Sequence, residues 1–273
     1  MAASLIWLDG KVCSAEEFRI QPTDEVLLYG RGLFETTRTF SARPWLWEKH
    51  LQRAMKTAML IGVRVSSDVL PTADQVAEFV KQVSDDDVVV RLSVGMGRTK
   101  NDSNIWMVTR PLPTPTEAVS LFKSQYRVSR SDVLAGLKTN NYLLRQLAFE
   151  EATAKSTNDL PSDALFLSTE GDVLEAAHSN IFARFGDEWW TAPIAGGVLP
   201  GTVRSLLLEH AESLRIIEKR FHVDDLVRCD EAIVTNSVRG IVPVAAIDGQ
   251  PLTTSSRIEP LTAVIARSQT EVS

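Results

Sequence analysis

Apolar and polar residues alternate at the start of the chain. Ser4 to Leu8 and Gly10 to Cys13 predict two short strands joined by an Asp9-Gly10 hairpin turn. Leu33 to Phe40 sets threonines and aromatics at period two and predicts a strand. From Glu48 to Ile61 the spacing turns helical, with Leu51, Ala54, Ala58 and Met59 on the apolar face. Ala73 to Val83 predicts a second helix and Val88 to Val94 a strand. Farther on, Val119 to Val128 reads as a strand. Tyr142 to Lys155 reads as a helix capped by Asn141, with Glu151 and Lys155 one turn apart. Two strands follow, Ala164 to Ser168 and Asn180 to Phe185. Pro200-Gly201-Thr202 opens an amphipathic helix that should end near Ser213. Glu231 to Thr235 and Ile241 to Ile247 are the last predicted strands. Strands and helices do not alternate regularly, so the class is α+β and not a doubly wound sheet. No G-x-G-x-x-G or Walker motif argues otherwise.

Pro111-Leu112-Pro113-Thr114-Pro115-Thr116 interrupts this pattern. Three prolines in five residues lack N–H donors and favour extended backbone, so a boundary is placed here. It gives a smaller N-terminal domain, 1–115, and a larger C-terminal one, 116–273. Composition narrows the classes. An apolar share of 44% and a charged share of 23% exclude a disordered chain, a collagen-like fibre and a coiled coil. With 35 acidic against 29 basic residues, no basic excess exists to cover a nucleic-acid backbone. Cys13 and Cys229 make no disulfide framework, and His50, His178, His210 and His222 have no metal-ligand spacing, so no metal is expected. The N-terminal apolar run stops at Asp9 with no basic residue before it, which does not read as a signal peptide. No stretch approaches the length of a membrane span. A cytoplasmic protein that binds neither membrane nor nucleic acid is expected.

Spacing alone reveals no nucleophile–base pair. It does reveal one helix start, Gly197-Val198-Leu199-Pro200-Gly201-Thr202-Val203-Arg204, where small residues lead straight into a helix. A phosphate could sit on the first N–H groups, at Thr202 and Val203; an ordinary helix start reads the same way.

Five segments resemble, in order, the class IV aminotransferase family. They are Tyr29-Gly30-Arg31-Gly32-Leu33-Phe34-Glu35-Thr36 with Glu48-Lys49-His50-Leu51-Gln52-Arg53; Leu137-Lys138-Thr139-Asn140-Asn141-Tyr142; Leu174-Glu175-Ala176-Ala177-His178-Ser179-Asn180; Leu199-Pro200-Gly201-Thr202; and Val234-Thr235-Asn236-Ser237-Val238. The resemblance spans nearly the whole chain. It implies a two-domain enzyme of fold type IV with pyridoxal 5'-phosphate (PLP) held between the domains. Lys138 matches the lysine that carries the cofactor covalently, a role that needs an amine nucleophile. Arg53 matches the arginine on the phosphate, where a planar fork bonds paired oxygens. Glu175 matches the carboxylate that keeps the pyridine nitrogen protonated. Thr202 and Val203 match the phosphate cup, and Ser237 and Val238 a second phosphate-binding turn.

The same resemblance implies a substrate face. Phe34, Thr36 and Arg38 share one side of their strand, with Glu35 and Thr37 on the other. Tyr29 matches a residue that lines the active site, often of the partner subunit, so a homodimer is expected. Arg31 stands where relatives carry a small or acidic residue, and could grip a substrate carboxylate. Gly95-Met96-Gly97-Arg98-Thr99-Lys100 departs from the Thr-Arg-Gly pattern of many relatives and lacks the Arg-x-His carboxylate trap of D-amino-acid aminotransferases; Arg98 or Lys100 could serve instead. Asn141 three places after Lys138, and Thr235 to Val244, resemble the family's 4-amino-4-deoxychorismate lyases, which release pyruvate and leave 4-aminobenzoate for folate. The alternatives are an aminotransferase of D-amino acids or branched-chain L-amino acids, and a non-enzymatic binding protein on this fold.

Overall fold

The structure, a computed structural model, describes residues 5–97, 103–156, 160–253 and 255–272. The chain forms two compact units. One contains the residues up to Pro113, Lys138–Asn141 and the C-terminal residues from Gln269; the other contains Thr114–Leu137 and Tyr142–Ser268. The division thus falls two residues before the predicted 115/116 boundary, and a four-residue segment with Lys138 belongs to the first unit.

The first unit contains β1 (Leu5–Leu8), β2 (Lys11–Ser14), α1 (Glu25–Leu28), β3 (Gly32–Phe40), β4 (Arg43–Pro44), α2 (Trp47–Ile61), α3 (Ala73–Val83), β5 (Val88–Met96) and β6 (Ser103–Pro111). Its sheet is ordered β2-β1-β6-β5-β3-β4. The Asp9-Gly10 turn forms as expected, with both residues at positive φ (45° and 92°) and Leu8 paired with Lys11. Trp47, Ala54, Ala58, Val76, Phe79 and Val80 from α2 and α3 bury against Leu33, Val90, Leu92, Val94 and Met107 of the sheet. Met59, predicted for the apolar face of α2, is 73% exposed. The buried stripe instead runs through Trp47, His50, Ala54, Thr57 and Ala58, which turns the next position outward. Strand β6 was not predicted; it follows the Gly95–Lys100 segment and runs up to the first proline of the boundary.

The second unit contains β7 (Val119–Val128), α4 (Leu143–Lys155), β8 (Ser162–Ser168), β9 (Val173–Ala176), β10 (Asn180–Phe185), β11 (Glu188–Thr191), α5 (Thr202–Leu208), α6 (Ala211–Leu214), β12 (Ile216–Glu218), α7 (Val223–Leu226), β13 (Glu231–Asn236), β14 (Gly240–Ile247), β15 (Gln250–Pro251) and most of α8 (Glu259–Thr270). Its sheet runs β12-β11-β10-β13-β14-β7-β8-β9, and a pairing of Asn180 with Glu175 joins β9 back to β10 and closes the sheet on itself. Strand β8 is buried on both faces. Leu165 and Leu167 enter one apolar cluster with Ile181, Val234 and Val244. Ala164 and Phe166 enter another with Ala148 and Ala152 of α4.

Two helix predictions are corrected. Asn141 does not cap α4, which starts at Leu143 after Tyr142. The Asn141 amide instead donates to the Gly30 carbonyl (3.0 Å). The helix opened by Thr202 stops at Leu208, because His210 leaves helical geometry (φ −112°, ψ 21°), and α6 restarts at Ala211. The Glu151–Lys155 pair on α4 forms at 2.6 Å. No helix among the described residues is long and apolar enough to cross a membrane.

Candidate active site

In the first unit the residues of interest lie on two faces of β3. Glu35 faces α2 and is fully buried. It accepts from Arg53 Nε (2.9 Å) and Nη2 (2.5 Å) and contacts His50 Nδ1 at 2.7 Å. Burial alone would raise the Glu35 pKa. The Arg53 charge and the hydrogen bonds from Arg53 and His50 override it and pull the carboxyl down to about 2. Burial also pushes His50 below its ordinary value, against the pull of Glu35. Arg53, matched to the cofactor phosphate, therefore has one edge of its guanidinium committed to Glu35.

This network sets an acid limit on stability. Glu35 has a folded pKa below its ordinary value of 4.5, so its contribution is present above 4.5 and is lost as pH falls through about 2. His50 is lowered from 6.5, so its contribution is present above 6.5 and fades as pH falls below that. Urea midpoints measured from pH 7 to pH 3 should fall steadily. Glu35→Gln should cost about 3 kcal/mol or more at pH 7, because it strips the buried Arg53 of its counter-charge. An unshifted midpoint in the variant would contradict this role.

Lys138 is held against the other end of β3. The Phe34 N–H donates to the Lys138 carbonyl (3.1 Å), the Asn140 N–H donates to the Gly32 carbonyl (2.9 Å), and Leu33 bridges Thr139. Gly32 permits this approach. A Cβ there would lie 2.6 Å from Asn140 Nδ2 and 2.8 Å from the Val94 carbonyl oxygen. Lys138 Nζ sits 4.4 Å from the ring centroid of Phe34. The Arg91 guanidinium lies over the same ring at 3.6 Å. Because Glu35 faces α2, Phe34, Thr36 and Arg38 share the opposite face, with Arg91 paired across from Thr36. Arg38 stacks on Phe40 at 4.4 Å, and its Nε is buried without a hydrogen-bond partner among the described residues.

Two predicted substrate residues stand apart from that face. Arg31 forms an ion pair with Glu25 at 2.6 Å, six residues back. Tyr29 ends α1 and is 68% exposed. Arg98 and Lys100 lie outside the described residues.

In the second unit Glu175 is nearly fully buried at the seam of the closed sheet. Its Oε1 pairs with Arg145 of α4, and its Oε2 accepts from Asn180 Nδ2 (3.0 Å) and the Leu199 N–H (3.1 Å). Burial opposes the Arg145 charge, but Glu175 outweighs it and raises the Arg145 pKa. Asn180 Nδ2 also donates to the Leu199 carbonyl (2.9 Å) and so ties Glu175 to the segment that leads into α5. A Cβ on Gly201 would fall 1.9 Å from Asn180 Oδ1, so only glycine fits at the N-cap of α5. Thr202 and Val203 are buried in the first turn of that helix, which has no side-chain cap.

Ser237 and Val238 lie in the turn between β13 and β14. Asn236 Oδ1 accepts the N–H groups of Val238 (3.0 Å) and Arg239 (2.8 Å). The Val238 N–H, expected to face an anion, is thus engaged inside the turn. Asn236 Nδ2 donates to Ser179 Oγ (2.9 Å), which links this turn to the one after Glu175. Arg91 and Arg145 were missed as functional candidates in the sequence. Asn180 and Asn236 lay inside quoted motifs but carried no assigned role. No cluster of three or more His, Cys, Asp or Glu that could hold a metal occurs among the described residues.

Comparison with known proteins agrees with this layout. The family model for amino-transferase class IV matches residues 32–247. The aminodeoxychorismate lyase of Bacillus subtilis is 28% identical over 261 residues, covering 89% of this chain and 87% of that protein. The crystal structure of 4-amino-4-deoxychorismate lyase from Pseudomonas aeruginosa superposes with a TM-score of 0.82 at 25% identity, covering 96% of this chain and 98% of that one. A branched-chain aminotransferase from Thermoproteus uzoniensis shares the fold, with a TM-score of 0.85 at 22% identity and coverage of 99% and 96%.

Proposed function

The chain belongs to the class IV aminotransferase family of PLP-dependent enzymes, and on that premise we propose that it binds PLP through Lys138 and eliminates pyruvate from 4-amino-4-deoxychorismate. The residues fit the cofactor. Among the described residues Glu175 receives three donors, and an ionised carboxylate offers about four lone-pair sites. One acceptor position is left for a ring N–H. The glycine at the N-cap of α5 and the buried Thr202 and Val203 suit a phosphate at that helix end, with Ser237 and Arg53 as further ligands. When bound, PLP supplies the sink for the electrons left by proton removal.

Lys138 then has two tasks. Its amine would carry the cofactor, and once released it removes the proton from the amine-bearing ring carbon as general base. It then returns a proton to the enolpyruvyl group, which leaves as pyruvate when its C–O bond to the neighbouring ring carbon breaks. Glu175 would hold a proton on the ring nitrogen, and Arg145 and Asn180 orient its carboxylate.

The observation that carries the substrate reading is the cationic face around Lys138. Arg91 lies over the ring that Lys138 also contacts, and Arg38 occupies the same face with an unfilled donor. A flat dicarboxylic substrate calls for more than one cation. Arg91 and Arg38 are the cations on this face, and Arg31 is paired with Glu25. The protein should release pyruvate and 4-aminobenzoate in equal amounts from 4-amino-4-deoxychorismate with no keto acid present. Fast transfer of an amino group from D-alanine or L-leucine to a keto acid, with the chorismate derivative inert, would put an aminotransferase in its place.

We also propose a homodimer. Leu27, Leu28 and Tyr29 in the first unit and Leu143, Leu144 and Leu147 in the second are exposed apolar residues that a two-fold partner would cover. Light scattering should give twice 30.2 kDa. A monomer mass at micromolar concentration would refute this.

A further inference from the structure

The β13–β14 turn carries a further cation, Arg239. Its backbone is locked by the two hydrogen bonds to Asn236 and by Gly240 at φ +71°, so the position of Arg239 is set. Register places the turn. Glu175, Asn180, Thr235 and Ile241 are paired in a row across β9, β10, β13 and β14. The Arg239 turn begins two residues beyond Thr235, at the end of the sheet where Glu175 sits, and Asn236 fastens it to Ser179.

An arginine on a surface turn ordinarily extends its head into water. Arg239 does not. Its Nη1 is buried and has no hydrogen-bond partner among the described residues. Thr235 Oγ1, in the paired row of the same hairpin, is also buried and unpartnered among them. A buried guanidinium N–H without an acceptor is unfavourable, and a planar fork of donors is matched best by the paired oxygens of an oxyanion.

We propose that Arg239 binds an oxyanion at this end of the second unit, with a substrate carboxylate as the expected ligand and the cofactor phosphate as the other source of the same chemistry. The inference rests on the PLP reading above. It deepens that reading by assigning a specificity-determining side chain beyond Arg38 and Arg91.

The test titrates PLP into apo-protein and then measures kcat and KM on fully loaded enzyme, for wild type, Arg239→Gln and Arg239→Lys. Loss of a charged hydrogen bond corresponds to roughly ten- to hundredfold in affinity. Arg239→Gln should raise KM by that factor with PLP affinity and melting temperature unchanged, and Arg239→Lys should recover part of it. The same factor in PLP affinity, with KM restored at saturating PLP, would support the oxyanion site and assign it to the phosphate. Both quantities staying within twofold of wild type would overturn the proposal. Failure of the underlying reading looks different: the wild-type protein itself would retain no PLP after borohydride reduction.

Discussion

Replacing Lys138 with alanine is expected to lower turnover by roughly 10⁴-fold or more, because one side chain supplies both the covalent attachment and the proton transfer. The fold should survive. Lys138 is held on β3 through its backbone, and alanine keeps the bonds between Phe34 N–H and the Lys138 carbonyl and between Asn140 N–H and Gly32. What alanine gives up at β3 is the approach of the lysine amine to the Phe34 ring. Equal melting temperatures with turnover nearly abolished would separate chemistry from stability. Turnover within tenfold of wild type would remove Lys138 from the reaction.

The second large effect is expected at Glu175. Glutamine there keeps the shape but not the charge, so the ring nitrogen loses the partner that holds its proton. Turnover should drop roughly 10²–10⁴-fold while PLP stays bound through Lys138. The variant should also lose stability, because Arg145 keeps its buried charge without a counter-ion. Arg145→Gln in the same background should restore much of the stability and none of the turnover. Unchanged turnover in Glu175→Gln would contradict the assigned role.

Parts of the fold were legible because their patterns are local. The alternation of Leu33 to Phe40 gives a strand whose Glu35 face and Phe34 face part as the period requires, and the Asp9-Gly10 pair gives its turn. The short strands β9, β11 and β12 were not legible. They are three or four residues long, too short for a period to stand out, and β9 is buried throughout and shows no alternation at all. The break at His210 was hidden because apolar spacing continues across it. In the candidate site, residue types were readable but their partners were not. Nothing near Arg145 announces Glu175, thirty residues away, because only the packing of α4 on the closed sheet brings them together. The pairing of Arg31 with Glu25 was not legible, because it depends on how α1 turns into β3. The involvement of Asn236 was closer to hand, since a side-chain amide leading a turn commonly captures the next N–H groups.

The covalent attachment is tested most directly by reducing PLP-loaded protein with borohydride, digesting it and mapping the pyridoxyl group by mass spectrometry. The group is expected on the peptide that contains Lys138 and on no other. Its recovery on a different lysine, or its absence from every peptide, would contradict the assignment.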